Sequence, residues 1–249
     1  MPGVTRNGKK QFLISTNTGK KDYLTWVTWM EEQSDDLPPF VVLGDIIEHL
    51  PPLAPALIEG VLRQGHKMML TGPSKAGKSF LLMELAIAIA SGKTWLQFPC
   101  HRGKVLYINL EIDGVSCEHR LLDIYNRLDI PLFPSVENIT LWNLRGAATP
   151  MDKLAPTIVR RCQNEGFSAV IVDPIYKVIT GDENAASDMA YFGNQFDLIC
   201  KGLGCSVIYC HHHSKGAQGA KKAIDRGSGS GVFARDADAI IDMTQIEMR

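Results

Sequence analysis

Short, unbroken apolar runs and longer stretches of helical periodicity take turns along most of this chain. The runs fall at 67–71, 104–110, 139–142, 168–173 and 205–210, with a last one at 238–243. Runs without polar interruption, such as Val105-Leu106-Tyr107-Ile108 and Ala169-Val170-Ile171-Val172, suit strands buried on both faces. Between them apolar residues recur at helical spacing over 78–91, 115–128, 155–165 and 186–201. Gly92, Gly166 and Gly202 or Gly204 stand where helix C-caps are wanted. Strand and helix in alternation predict a mainly parallel, twisted sheet flanked by helices on both faces.

The first fifty residues depart from that rhythm. Residues 1–36 are polar, and the spacing of Leu24, Val27, Trp29 and Met30 permits one short amphipathic helix. Prolines cluster at 38–39 and 51–55, around an apolar segment from Phe40 to His49. They predict a stiff, extended joint. The expected division is an N-terminal extension with a proline-rich linker over 1–54 and one α/β domain over 55–249.

Charge narrows the options. With 26 basic and 27 acidic residues the net charge is −1, which excludes a uniformly basic coat and confines any nucleic-acid contact to a local patch. No apolar stretch reaches the length of a membrane span. The first residues lack the apolar core of a signal peptide, so a cytoplasmic location is expected. The six cysteines contain no C-x-x-C pair. Cys205 and Cys210 lie near His211-His212-His213, but they bracket a strand five residues apart, and alternation sends them to opposite faces. Buried thiols are expected rather than a metal site.

The chemistry lies at the ends of the strands. Gly72-Pro73-Ser74-Lys75-Ala76-Gly77-Lys78-Ser79, continued by Phe80, follows the first apolar run and opens the first helix. It matches G-x-x-x-x-G-K-[ST], in which small residues let backbone N–H groups turn inward around phosphate. Lys78 then reaches the terminal phosphates of ATP and the Ser79 hydroxyl ligates Mg²⁺. Asp173 closes a second apolar strand, where it can share that metal through water. Glu111 closes a third, where it can orient the water that attacks the γ-phosphate. His211 or His212 can sense that phosphate, and the sequence does not separate them. Ser214 to Gly231 carries Lys215, Lys221, Lys222 and Arg226 among glycines. It reads either as a surface loop or as a loop that tracks a nucleic-acid backbone. The stretch from Pro174 to Ala186, with Tyr176 and Lys177, is a weaker candidate for the same task.

Taken in order, these motifs resemble the RecA-like ATPases, and within them the RepA-type hexameric replicative helicases of plasmids and phages. The resemblance covers roughly residues 55–245. It implies Glu111 as catalytic base, Lys78 and Ser79 on phosphate and Mg²⁺, Asp173 on the metal, and Arg226 as an arginine finger inserted into a neighbouring subunit. It further implies a homo-oligomeric ring of six, with Lys215, Lys221 and Lys222 on single-stranded DNA in a central channel. Two features depart from the pattern: the 214–231 loop has no aromatic residue for base stacking, and the chain ends soon after its last strand. A nucleotide-switched DNA-binding, recombination-mediating or helicase-loading ATPase is the alternative. A small-molecule kinase is disfavoured, because Glu111 suits activation of water and a kinase must exclude it.

Overall fold

A computed structural model describes residues 4–6, 9–11, 38–179, 181–183, 185–213 and 235–244. The chain divides into two compact units, Met1–Pro52 and Leu53–Arg249. In the first, Val4–Arg6 and Lys9–Gln11 pair as an antiparallel hairpin. A single helical turn, Leu43–Ile46, runs into a 3-10 turn, Ile47–His49. The amphipathic helix expected around Leu24 to Met30 lies outside the described residues.

The second unit is built on six strands: β1 (Lys67–Gly72), β2 (Lys104–Asn109), β3 (Ile139–Asn143), β4 (Phe167–Asp173), β5 (Ser206–His212) and β6 (Ala239–Asp242). They pair in the order β3-β2-β4-β5-β1-β6, and every pairing is parallel. Among the described residues, four helices cover the sheet: α1 (Lys78–Ser91), α2 (Gly114–Arg127), α3 (Met151–Cys162) and α4 (Ala186–Leu203). Parallel strands require such crossovers, and these leave an apolar core on each face.

Alternation along the strands assigns each residue to one core. Val170, Val172, Val207 and Tyr209 join Ile158, Phe192 and Phe196 of α3 and α4. Ala169, Ile171, Ile208 and Cys210 join Leu82, Ile89 and Leu121 of α1 and α2. Cys205 and Cys210 accordingly fall in different cores. Helix α1 has buried residues on all sides, nine of its fourteen, as expected of a helix enclosed by its neighbours. Two small hairpins that the apolar pattern did not predict, Ala56–Ile58 with Leu62–Arg63 and Thr94–Trp95 with Phe98–Pro99, lie beside it. The buried Trp95 indole donates to the Leu81 carbonyl at 3.1 Å.

Two expectations need correction, and one open alternative is decided. Helix α3 begins at Met151, not at 155, so Pro156 sits in its second turn. An interior proline costs about 3 kcal/mol. The apolar stripe Met151, Leu154, Ala155, Ile158 and Cys162 is buried and offsets that cost. Gly166 has a left-handed φ of 68° but lies beyond the C-cap, which is Gln163. Gly204, not Gly202, caps α4, with φ 63°.

Candidate active site

Parallel sheets present their strand ends, and the helices that follow, along one edge, and here that edge gathers the polar residues. His212 lies in register with Gly72, and Asp173 with Asn109. Beyond Asn109 the chain turns sharply. The Asn109 side chain accepts from the Ile112 N–H at 2.9 Å and donates to the Ile112 carbonyl at 2.7 Å. That turn leaves Glu111 exposed at the edge. A cleft of about 610 Å³ opens there, lined by Ser74–Phe80, Glu111, Asp173, Cys210 and His212.

The phosphate loop meets the requirements of an anion cradle. Gly77, the N-cap of α1, has φ 90°, and no side chain caps the helix. The first-turn N–H groups are therefore left for a ligand, and no acidic residue opposes an anion there. Gly72 is fixed by packing instead: a Cβ would lie 2.9 Å from that of Met243.

Lys78 is buried and satisfied entirely by neutral groups. Its ammonium donates to the Gly72 carbonyl at 2.9 Å, to the Pro73 carbonyl at 2.7 Å and to His212 Nδ1 at 3.1 Å. Burial lowers its pKa, against a weaker opposing pull from nearby Cys210, Asp173 and Glu111. An ammonium can only donate, so His212 Nδ1 is the acceptor and Nε2 carries the proton. Burial, and then the charge of Lys78, lowers the pKa of His212, while Glu111 and Asp173 pull it up. The imidazole is thus a neutral N–H donor at the cleft.

Asp173 is 2% exposed and held from the strands on either side. Tyr107 of β2 donates to Oδ2 at 2.6 Å, and the Cys210 thiol of β5 donates to Oδ1 at 2.9 Å. Burial, reinforced by the carboxylate, pushes both donors well above their ordinary pKa values and keeps them protonated. Each carboxylate oxygen retains a lone pair for water or a cation. With the Ser79 hydroxyl also lining the cleft, the donor set suits Mg²⁺ beside a nucleotide.

The three histidines take three places. His211 is buried in β5, in register with Thr71, and does not line the cleft. His212 does. His213 pairs with Asp242 at 2.7 Å and ties β5 to β6. Lys215, Lys221, Lys222 and Arg226 lie outside the described residues. The apolar pattern missed Arg120 and Arg145, which also line the cleft. Arg120 places its guanidinium 4.9 Å from the ring centre of Phe80. Arg145 follows the end of β3, so the strand-end rule that picked out Glu111 and Asp173 would have found it.

A parallel sheet with this loop between β1 and α1, and a buried carboxylate ending β4, defines a RecA-like P-loop NTPase. The sequence matches the AAA domain family over residues 31–218, well over half of its length. The chain belongs to that family of P-loop ATPases. The match starts within the first unit and stops short of Arg226. Among the described residues, no helix is long and apolar enough to cross a membrane.

Proposed function

We propose that this chain is an ATP-hydrolysing motor acting on single-stranded DNA, a replicative helicase of the RepA type carried by a plasmid, phage or mobile element. The observation that carries the hydrolytic part is the convergence of Lys78, Ser79, Glu111, Asp173 and His212 on one cleft. Lys78 exchanges bonds to its own loop for bonds to phosphate oxygens, and the uncapped N–H groups of α1 surround the same anion. Ser79, and Asp173 through water, would hold Mg²⁺, which would supply charge neutralisation at the phosphates. Glu111 takes the proton of the attacking water, and His212 donates its Nε2 proton toward the γ-phosphate.

The DNA part rests on the family resemblance and on the cationic segment with Lys215, Lys221 and Lys222. Arg226 from a neighbouring subunit would complete the site, which is the reason for a ring. The test is ATP-driven unwinding of a forked duplex together with ATP turnover, each with and without single-stranded DNA. Unwinding is expected, with turnover raised by DNA. Retained DNA binding without unwinding would replace the helicase by a DNA-binding or helicase-loading switch. Turnover indifferent to DNA would remove the nucleic acid altogether.

A further inference from the structure

The turn after β4 places a tyrosine against one of the two groups that face the reaction. Ile175–Lys177 forms a 3-10 turn, and the residues on either side of Tyr176 and Lys177 hold it rigidly. Ile175 and Val178 are both buried in the α3–α4 core. The Val178 carbonyl accepts from the Met151 N–H at 2.9 Å, at the start of α3. Tyr176 therefore stands on a braced turn, against His212 of the cleft wall. Its ring lies 5.5 Å from the His212 imidazole, centre to centre, tilted by 47°. Lys177 sets its ammonium over the same phenyl ring, 5.0 Å from its centre. Glu111 and Lys177 both act on the phenol, the first raising its pKa and the second lowering it.

We propose that Tyr176 is a positioning residue that fixes Glu111 through its hydroxyl and His212 through its ring. The inference rests on the hydrolytic reading of the cleft and adds to it the group that holds base and phosphate donor in one arrangement. Glu111 is exposed on a turn and needs such a holder. A base free to rotate spends little time in line with its water, and misplacement by about 1 Å can cost up to 100-fold in rate. Burial first, then the Glu111 charge, raises the Tyr176 pKa, so the phenol remains a donor at neutral pH. The ring also shields one side of the imidazole from water. The charged and titratable groups that act on His212 are Lys78, Glu111, Asp173 and His213. None of these is removed by substituting Tyr176.

Two variants of the full chain separate the two contacts. Tyr176→Phe keeps the ring and removes the hydroxyl. It should lower kcat for ATP by about tenfold with KM unchanged and with thermal stability close to that of the parent. Tyr176→Ala removes both contacts and should lower kcat further. In that variant the His212 imidazole, assigned by the resonance lost in His212→Gln, should titrate at higher pH, because its desolvation is partly relieved. In Tyr176→Phe the titration should stay where it is. A kcat for Tyr176→Phe within twofold of the parent, or an unmoved His212 titration in Tyr176→Ala, would overturn the proposal. A parent protein that hydrolyses no ATP would instead remove the hydrolytic reading, and the titration would still decide whether Tyr176 holds the imidazole.

Discussion

Two lysines flank strand β1, and they are equally buried, each 6% exposed. Lys67 opens the strand. Its ammonium sits 2.7 Å from Asp197 and 2.9 Å from Asp236, and its backbone N–H donates to Asp238 at 2.8 Å. Lys78 opens the helix after the strand and, among the described residues, has no carboxylate at ion-pair distance. Their pKa values diverge accordingly. Burial pulls Lys67 down, but Asp197 and Asp236 more than offset it and raise the value; for Lys78 burial wins and lowers it. At one end of the sheet charge is cancelled within the protein. At the other it is solvated by carbonyls and an imidazole, which stabilise it without neutralising it. An ion kept in that condition is costly to the fold, and it is the preorganised counter-charge that a phosphate site requires.

Lys78→Ala breaks the open end and carries the largest expected effect. ATP hydrolysis should fall at least 100-fold, and binding of a fluorescent ATP analogue should weaken strongly. Chemical denaturation should show stability changed by only about 1 kcal/mol, because no carboxylate is left unpaired. Unchanged turnover would show that phosphate does not bind where the loop indicates.

Lys67→Met tests the closed end and should give the opposite pairing of results. Truncating one partner of a buried ion pair costs about 3–5 kcal/mol. Asp197 is 55% exposed at its side chain, which reduces the expected loss to about 2–3 kcal/mol. Nucleotide affinity should be untouched. The pH dependence follows from the direction of the shift. Folded Lys67 titrates above its ordinary 10.5, so its stabilisation is complete below 10.5 and is lost as pH rises through the folded value. Denaturation midpoints measured across that range should lose this alkaline limb in Lys67→Met. A limb of unchanged depth would mean that another group supplies it.

The contrast between the lysines could not be read from the sequence, because the partners of Lys67 lie about 130 to 170 residues away along the chain. What was legible followed from local rules. A doubly buried strand tolerates no polar residue until it ends, so the carboxylates Glu111 and Asp173 marked the ligand edge as soon as the strands were found. The same property concealed which histidine faces the cleft. Strand β5 is buried on both sides, so its alternation distinguishes two cores and does not distinguish core from solvent, and His211 and His212 look alike. The start of α3 was obscured by Pro156, a local signal overridden by an apolar stripe. The hairpins around Trp95 have strands of two or three residues, too short to show a period. Tyr107 gave one clue: a phenol inside an apolar strand needs a buried acceptor, though nothing in the sequence says that the acceptor is Asp173.

The distinction between open and closed charge applies to the carboxylates as well, where the smallest effects are expected. Asp236 is met by a cation, whereas Asp173 is met by a phenol and a thiol that leave its negative charge available to Mg²⁺. Tyr107→Phe removes the stronger donor and should cost about 1–2 kcal/mol, with Cys210→Ala, which removes a weaker S–H donor, nearer 1 kcal/mol. Cys210→Ser should retain the bond and most of the stability. The more telling readout is the Mg²⁺ concentration needed for tight binding of the ATP analogue, followed by fluorescence. Groups that orient a metal ligand change metal affinity by about 10- to 100-fold when removed, so Tyr107→Phe should shift the Mg²⁺ midpoint upward within that range while binding without Mg²⁺ stays constant. If stability falls and the midpoint does not move, the two donors serve only to bury Asp173. A charge held by neutral groups and left available to a ligand would then be a property of Lys78 alone.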